Sequence, residues 1–409
     1  MWESFIEAVT KVNDWVNGVV WGWPMIIMIL GTGILLTVRT RVLQVRKFGE
    51  SMSTTIVPAV KDMGKKKNKK DKNAVSQFEA FSAAISGTVG TGNIIGVTSA
   101  ILTGGPGAVL WMWISAFFGM VTNYSENVLG LYYRKKEKDG SFSGGAFYYI
   151  ANGLKQRWLG MLAAIFCLLA AVGMSGVQTN KITGSYTSVL GNDSAAVKLI
   201  IGGIVAFFAA IVIIGGIKRI GRIASMLVPF MSLLFIAMAF VIIGKNYTAV
   251  PETFRLIFTS AFSSKAVAGG VGGFAFSQII KKGLARGVFS NEAGLGSSVI
   301  AHSASETREP VKQGLWGIFE VFFDTFVICT LTALVILTTN IGSGAYENGS
   351  FFGAVNAAGE FVGASDSATA LSAFSSNLGM FGTVAFLIIL PLFAFTTVLA
   401  WSYYGEKSV

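Results

Sequence analysis

The sequence predicts an all-α integral membrane protein with about nine transmembrane helices, two of them broken. The mean hydropathy is +0.62, and only 13% of the residues are charged, whereas soluble proteins carry about 25%. Apolar residues make up 53% of the chain. They occur in uncharged blocks of about 20 residues, which is the length needed to cross a bilayer. This composition excludes an ordinary soluble protein.

Basic residues lie between the apolar blocks and are densest in residues 61–73. This distribution favours cytoplasmic loops under the positive-inside rule over nucleic-acid binding, despite a net charge of +11. Every basic cluster, including Lys281, Lys282 and Arg286, is expected on the cytoplasmic side. The expected spans are 19–38, 75–102, 106–133, 157–189, 195–216, 222–244, 266–288, 314–338 and 380–404, and the expected surface helices are 2–16, 144–156 and 251–264.

Few residues suit metal-dependent or nucleophilic chemistry. The chain has one His (His302) and two Cys (Cys167 and Cys329), which rules out a Cys/His zinc cluster and a disulfide framework. No nucleophile–base pair is visible. An enzyme is therefore the least expected class.

Two predicted spans contain glycine clusters at bilayer depth, one at residues 87–93 and one at residues 268–274. Each glycine costs about 1 kcal/mol in a helix interior, and backbone freed in lipid must line a cavity or bind a ligand. The two spans are five apart, so they cross the membrane in opposite directions. This pattern predicts an inverted five-helix repeat with its site at the midplane. The alternative is that the glycines only allow close helix packing.

Five segments resemble a known family, the alanine or glycine:cation symporters, which have the LeuT-type fold of the amino acid–polyamine–organocation superfamily. The resemblance extends along almost the whole chain. The segments are GTVGTGNIIGV (87–97), GGPGAVLWMWISAFFG (104–119), RGVFSNEAGLGSS (286–298), IAH (300–302) and LFAFTTVLAWSYYGEK (392–407).

The resemblance implies eleven transmembrane helices, so the chain is expected to stop before the last two. It divides the chain into three parts. Residues 1–74 hold an extra helix and the basic loop, residues 75–250 form the first repeat, and residues 251–409 form three helices of the second.

The expected substrate is a small zwitterionic amino acid. Unwound backbone at Thr91, Gly92 and Asn93 begins the outer half-helix, whose positive end favours a carboxylate. Carbonyls at the second break are candidates for the ammonium. The resemblance adds further contacts: Gln178, Thr397 and Trp401 would face the pocket, and Phe276 and Ile280 would close it. The alternatives are a helix–helix hydrogen bond for Gln178 and core packing for the aromatic pair.

The coupling cation is expected to be Na⁺, with H⁺ as the alternative. Hard ions prefer oxygen ligands, and Thr396 and Thr397 offer adjacent hydroxyls in an apolar helix. By analogy with the fold, the carbonyls of Ser86, Val89 and Phe393 complete the set. The alternative is that each Thr hydroxyl bonds back to its own helix.

Charged residues also occur inside or beside the spans. A carboxylate at the centre of a span costs about 2.5–3.5 kcal/mol on insertion scales, and Asp324 lies near the middle of the eighth span. It is interpreted as protonated, paired with a base, or part of a proton or ion path, and a structural contact with another group is the favoured interpretation. Glu292 and Asn291 are expected at the inner gate, without a direct ligand role.

The expected function is cation-coupled symport of alanine, glycine and, as a further candidate, serine by alternating access. One alternative is a truncated amino-acid sensor that binds without transport. A channel is less favoured because no filter ring is visible. The partners are the amino acid and the lipid bilayer, the location is a prokaryotic inner membrane with multiple spans, and the oligomeric state stays open.

Overall fold

The N-terminal part of the chain is helical and precedes the helices of the expected core. A computed structural model describes residues 2–58, 75–138, 140–192, 194–262, 270–343, 353–355, 361–363 and 365–409. Pro24 lies in the first turn of α2, where its missing N–H would have no helical partner. The first helices are α1 (Trp2–Val20), α2 (Trp23–Arg39), α3 (Leu43–Arg46) and α4 (Phe48–Thr54).

The central part contains a broken helix and the long helices that follow it. Its first helix begins with a capping box: the Ser76 hydroxyl accepts from the Glu79 N–H at 3.2 Å, and the Glu79 carboxylate accepts from the Ser76 N–H at 2.9 Å. The elements are α5 (Gln77–Thr88), a π-helical turn (Gly92–Gly96), α6 (Val97–Gly104), α7 (Ala108–Tyr132), β1 (Lys135–Lys136), β2 (Phe142–Ser143), α8 (Ala146–Gly153), α9 (Arg157–Leu190), α10 (Ala195–Ile213) and α11 (Gly216–Lys245).

The C-terminal part ends in one long helix that is kinked at Gly379. The φ of 58° and ψ of −142° at this residue suit only glycine, so the expected span 380–404 starts directly after the kink. The elements are a 3₁₀ turn (Tyr247–Ala249), α12 (Val250–Ala261), α13 (Gly270–Asn291), α14 (Ser298–Ser303), α15 (Pro310–Val321), a π-helix (Phe322–Cys329), α16 (Thr330–Gly342), β3 (Gly353–Val355), β4 (Phe361–Gly363) and α17 (Asp366–Ser408).

The described residues form six helices long and apolar enough to cross a membrane, or up to seven if one bent pair is counted as a span. The pair is Gln77–Thr88 with Gly92–Gly104, bent by 46°. The near absence of strands confirms the all-α prediction, but the count of nine is not confirmed. At the expected spans 106–133 and 266–288, the described helices Ala108–Tyr132 and Gly270–Asn291 are not among those six or seven.

The first expected break is present between α5 and α6, where the helix bends. The second was expected at residues 268–274. Residues 268 and 269 lie outside the described residues, and from Gly270 onward the backbone of α13 is helical. The inverted-repeat division at residues 75–250 and 251–409 therefore stays a prediction.

The expectation that every basic cluster lies on one side is wrong for α13. A Cβ on Gly104, just before α7, would lie 3.1 Å from the Cβ of Lys282. Arg134 follows the opposite end of α7, which is 25 residues long and therefore about 37 Å at 1.5 Å per residue. Lys282 and Arg134 thus lie at opposite ends of the same helix. Counting charges along the sequence failed because α13 enters the bundle beside the start of α7.

The buried core surrounds α5, which places the break in the interior. The rings of Phe235 on α11 and Phe393 on α17 meet at 5.9 Å, and Phe235 meets Phe374 at 6.4 Å. By contrast, α9 and α10 expose large apolar side chains such as Phe166 and Leu199. A helix that is apolar on its exposed face suits a lipid environment.

Candidate functional site

The break lies at residues 89–91, between α5 and the π-helical turn. Val89 has a ψ of 88°, which ends the α-helix. The Gly90 N–H donates instead to the side-chain oxygen of Asn93 at 2.9 Å. A Cβ on Gly90 would lie 2.5 Å from the Thr397 hydroxyl oxygen, so only glycine allows α17 to approach this closely.

Gln178 from α9 reaches the break, where it forms hydrogen bonds between two helices as the alternative interpretation held; its contact with a substrate stays a prediction. Its side-chain oxygen accepts from the Thr91 N–H at 3.1 Å and from the Thr91 hydroxyl at 2.7 Å. Both residues are buried. The structure therefore brings Gln178 and Thr91 together through two donors that converge on one oxygen.

Asn93 is held from the opposite side. Its side-chain N–H group donates to the Asp324 carboxylate at 2.5 Å and lies 3.4 Å from the sulfur of Cys329. The sequence suggested that this group could donate to a substrate carboxylate. In the structure, the Asn93 side-chain nitrogen already donates to the Asp324 carboxylate.

Asp324 is fully buried in a π-helix, a local irregularity that is frequent at functional sites. Its second oxygen accepts from the Thr325 hydroxyl at 2.8 Å, and Asn291 donates to that hydroxyl at 3.1 Å. A buried carboxylate needs such donors. Among the interpretations left open by the sequence, the geometry favours a role in holding the break.

Arg286 is the residue that the sequence reasoning misplaced. It was counted in a cytoplasmic cluster, but its guanidinium donates to the Gly92 carbonyl. A Cβ on Gly96 would lie 1.7 Å from a guanidinium nitrogen, which explains why glycine stands there. The available signal was an arginine next to an apolar helix, since ionisable residues at bilayer depth are usually functional.

Of the two hydroxyls expected to bind the cation, that of Thr397 lies at the break, whereas that of Thr396 lies 3.6 Å from the Met231 sulfur on α11. The Thr397 hydroxyl lies 3.0 Å from the carbonyl oxygens of both Ser86 and Phe393. The Thr396 hydroxyl lies 3.0 Å from the Phe393 carbonyl. Each hydroxyl also bonds to its own helix, as the alternative reading held, and only Thr397 reaches α5. Val89 is buried at the break, and its carbonyl stays a predicted ligand.

Trp401 lies one turn after Thr397 and is buried. Its indole N–H donates to the Glu292 carboxylate at 3.1 Å, and the Ser297 hydroxyl donates to the other oxygen of that carboxylate. Glu292 has a φ of 56°, which is unusual for a residue other than glycine. Trp401 is thus hydrogen-bonded to the segment 290–294, which contains Glu292, a residue expected at the inner gate.

Two residues of α13 were expected to close the pocket. The side chain of Phe276 lies outside the described residues, so its role stays a prediction. Ile280 is half-buried on α13, and its place in the pocket stays a prediction as well.

A broken helix that lies between long apolar helices and is lined by hydroxyls and carbonyls is the arrangement expected of a transporter. The model of the sodium:alanine symporter family matches residues 6–409. The chain belongs to this family. A sodium:alanine symporter family protein is a transporter and a multi-pass membrane protein, which agrees with the predicted class.

Relatives of known name support the same family. The sodium/alanine symporter AgcS of Methanococcus maripaludis is 38% identical, with 98% of this chain and 83% of that protein covered. The probable sodium/glutamine symporter GlnT of Bacillus subtilis is 36% identical, with coverages of 96% and 75%. The family match over residues 6–409 does not support the expectation that helices are missing from this chain.

A solved structure shows a similar fold. MhsT in complex with L-phenylalanine has a TM-score of 0.57 and 14% identity, and the likeness covers 82% of this chain and 77% of that one. This sodium:alanine symporter family chain therefore has a LeuT-type fold. At this identity the likeness concerns the fold alone.

Proposed function

We propose that this chain couples Na⁺ to the uptake of a small neutral amino acid, alanine or glycine with serine as a further candidate, by alternating access. One observation carries the proposal: the Thr91 N–H and hydroxyl converge on a single oxygen at 3.1 and 2.7 Å. That oxygen belongs to Gln178 in this structure. A substrate carboxylate would replace it with a charged acceptor, which forms stronger hydrogen bonds.

Family membership alone does not fix the size of the substrate, because the relatives include a protein named for glutamine. The proposal of a small substrate therefore rests on the crowding at the break. A Cβ on Gly90 would lie 2.5 Å from Thr397, and a Cβ on Gly92 would lie 2.7 Å from Arg286. We infer that Trp401, one turn later on α17, closes the same side. Such close walls favour a methyl group or a hydrogen as the substrate side chain.

The donor set supports Na⁺ as the coupling ion. Ser86, Phe393, Thr396 and Thr397 supply neutral oxygens about the break, with Val89 as the fifth. Neutral carbonyls and hydroxyls suit a hard, singly charged ion. Asp324 lies nearby but already accepts two hydrogen bonds, so the proposed ion site does not use it. We further propose a prokaryotic inner membrane as the location.

The test is uptake of labelled alanine by the purified protein in proteoliposomes. An inward Na⁺ gradient should drive saturable accumulation, and choline in place of Na⁺ should abolish it. Unlabelled glycine and serine should compete at lower concentrations than glutamine. Accumulation driven by a pH gradient alone would show that H⁺, and not Na⁺, is the coupling ion. Na⁺-dependent binding without uptake would support the sensor alternative, and non-saturable flux would support a channel.

A further inference from the structure

A cavity of about 450 Å³ lies between the end of α1, α6 and α13, apart from the Thr91–Gln178 group. Three of its lining residues are cationic, namely Lys281, Lys282 and Arg286, and none of the lining residues that the structure describes is acidic. Within the described part of the chain, no ion pair neutralises these three cations. Asp324 attracts Arg286 without forming an ion pair with it, so the charge that faces the cavity comes mainly from Lys281 and Lys282.

Arg286 is the deepest of the three. One of its nitrogens donates to the Gly92 carbonyl. Its Nε is buried and finds no hydrogen-bond partner among the described residues. A guanidinium has five N–H donors in a planar fork that matches carboxylate and phosphate oxygens. A buried nitrogen without a partner is costly, so a ligand that satisfied it would be bound favourably.

The rest of the cavity wall suits a small organic anion. Trp21 and Phe289 supply aromatic rings whose centroids lie 6.1 Å apart. The Arg286 guanidinium lies 5.0 Å from the centre of the Phe289 ring, which limits its movement. Ser99 and Thr103 of α6 add hydroxyls. One wall is thus charged and polar, and another is apolar.

We propose that this cavity binds an oxyanion, a carboxylate or a phosphate group, through Arg286, Lys281 and Lys282. The ligand would contact Arg286, which also donates to the Gly92 carbonyl, so binding of the ligand would be coupled to the break. Two sources have this chemistry: a soluble carboxylate or phosphate that enters from water, and the headgroup of an anionic lipid.

The experiment measures the melting temperature of the purified full chain without Na⁺ or amino acid, so it does not depend on transport. In neutral detergent, the probes are choline acetate and choline phosphate, with choline chloride at equal ionic strength as the baseline. In a second arm, nanodiscs of phosphatidylcholine are compared with discs that also contain phosphatidylglycerol. Stabilisation by acetate or phosphate indicates a soluble source, and stabilisation only by phosphatidylglycerol indicates a lipid headgroup.

Charge variants test the assignment. Lys281→Gln and Lys282→Gln should each raise about tenfold the concentration of the effective probe that gives half of the maximal stabilisation. This is the change expected for the loss of one charged hydrogen bond. The matched control is Lys136→Gln, which removes an exposed lysine at the other end of α7 and should leave the response unchanged.

A neutral variant tests the space itself. Gly18 lines the cavity, and a Cβ on it would meet nothing within 4 Å. Gly18→Leu should therefore fold and abolish the response by filling the cavity. Gly31→Leu on α2 is its control, because Gly31 is equally open. The proposal is overturned if no probe stabilises the protein, or if the response is equally large in the lysine and Gly18 variants as in the controls.

Discussion

Replacing Thr397 by Val tests the proposed cation site most directly. The substitution keeps the shape of the side chain and removes only the hydroxyl. That hydroxyl lies 3.0 Å from both the Ser86 and the Phe393 carbonyls, and both Thr397 and Ser86 are fully buried.

The magnitude follows from the loss of one contact between a neutral oxygen and a charge. Such contacts contribute about 1.5–3 kcal/mol, and 1.4 kcal/mol is a factor of ten in affinity. Thr397→Val should therefore raise the Kd for Na⁺ roughly ten- to hundredfold. Thr397→Ser keeps the hydroxyl and should change the Kd by less than about threefold.

The assay is the Na⁺-dependent rise in melting temperature of the purified protein, titrated against choline at constant ionic strength. The matched control is Thr383→Val on the same helix, where the hydroxyl contacts only the Gly379 carbonyl of its own helix at 3.5 Å. Equal Na⁺ affinity in Thr397→Val, Thr383→Val and the unaltered protein would refute the assignment of Thr397 to the cation site.

Three further substitutions probe the substrate side of the break. Gly92→Leu should abolish alanine binding in equilibrium dialysis because a Cβ there already meets Arg286 at 2.7 Å; normal binding would argue against the carboxylate cradle. Gln178→Leu should strengthen alanine binding, because the Thr91 N–H and hydroxyl no longer donate to the Gln178 oxygen, and should leave the Na⁺-induced melting shift intact; a loss of both would assign Gln178 a general packing role. Trp401→Phe should destabilise the protein by about 1–3 kcal/mol, since the buried Glu292 loses a donor; an unchanged denaturation midpoint would contradict that account.

The position of the first break could be predicted from the sequence because its cause is local. Gly87, Gly90 and Gly92 lie within a run of polar residues, and each weakens the α-helix where it stands. The structure adds the reason for one of them. Gly87 could not carry a Cβ, which would lie 2.7 Å from the Tyr404 hydroxyl. The residue that requires this glycine lies at the other end of the chain.

The partners of the break could not be predicted because they come from distant segments. Arg286 is 194 residues from Gly92, and Asp324 is 231 residues from Asn93. Charge counting placed Arg286 at the cytoplasmic end of the span 266–288, because nothing in its neighbourhood marks the depth of α13. Gln178 was named only through the resemblance to a family, since a lone polar residue in an apolar helix fits helix–helix bonding equally well, whereas the adjacent hydroxyls of Thr396 and Thr397 also stood out by their chemistry.

The contacts of Arg286 and Asp324 explain how the break is held open. Side chains replace the backbone hydrogen bonds lost at the break: the Gly90 N–H donates to the Asn93 oxygen, and the Thr91 N–H donates to Gln178. Arg286 donates to the Gly92 carbonyl, and the Asp324 carboxylate accepts from the Asn93 side-chain nitrogen. Two side chains of opposite charge, Arg286 and Asp324, thus bind the adjacent residues Gly92 and Asn93.

Because α13 and the π-helix supply these charges, a movement of either element must pull on the break. In a change between outward- and inward-facing forms, α13 and the π-helix must therefore move together with the turn at residues 89–93. Otherwise the Arg286–Gly92 and Asp324–Asn93 hydrogen bonds must break.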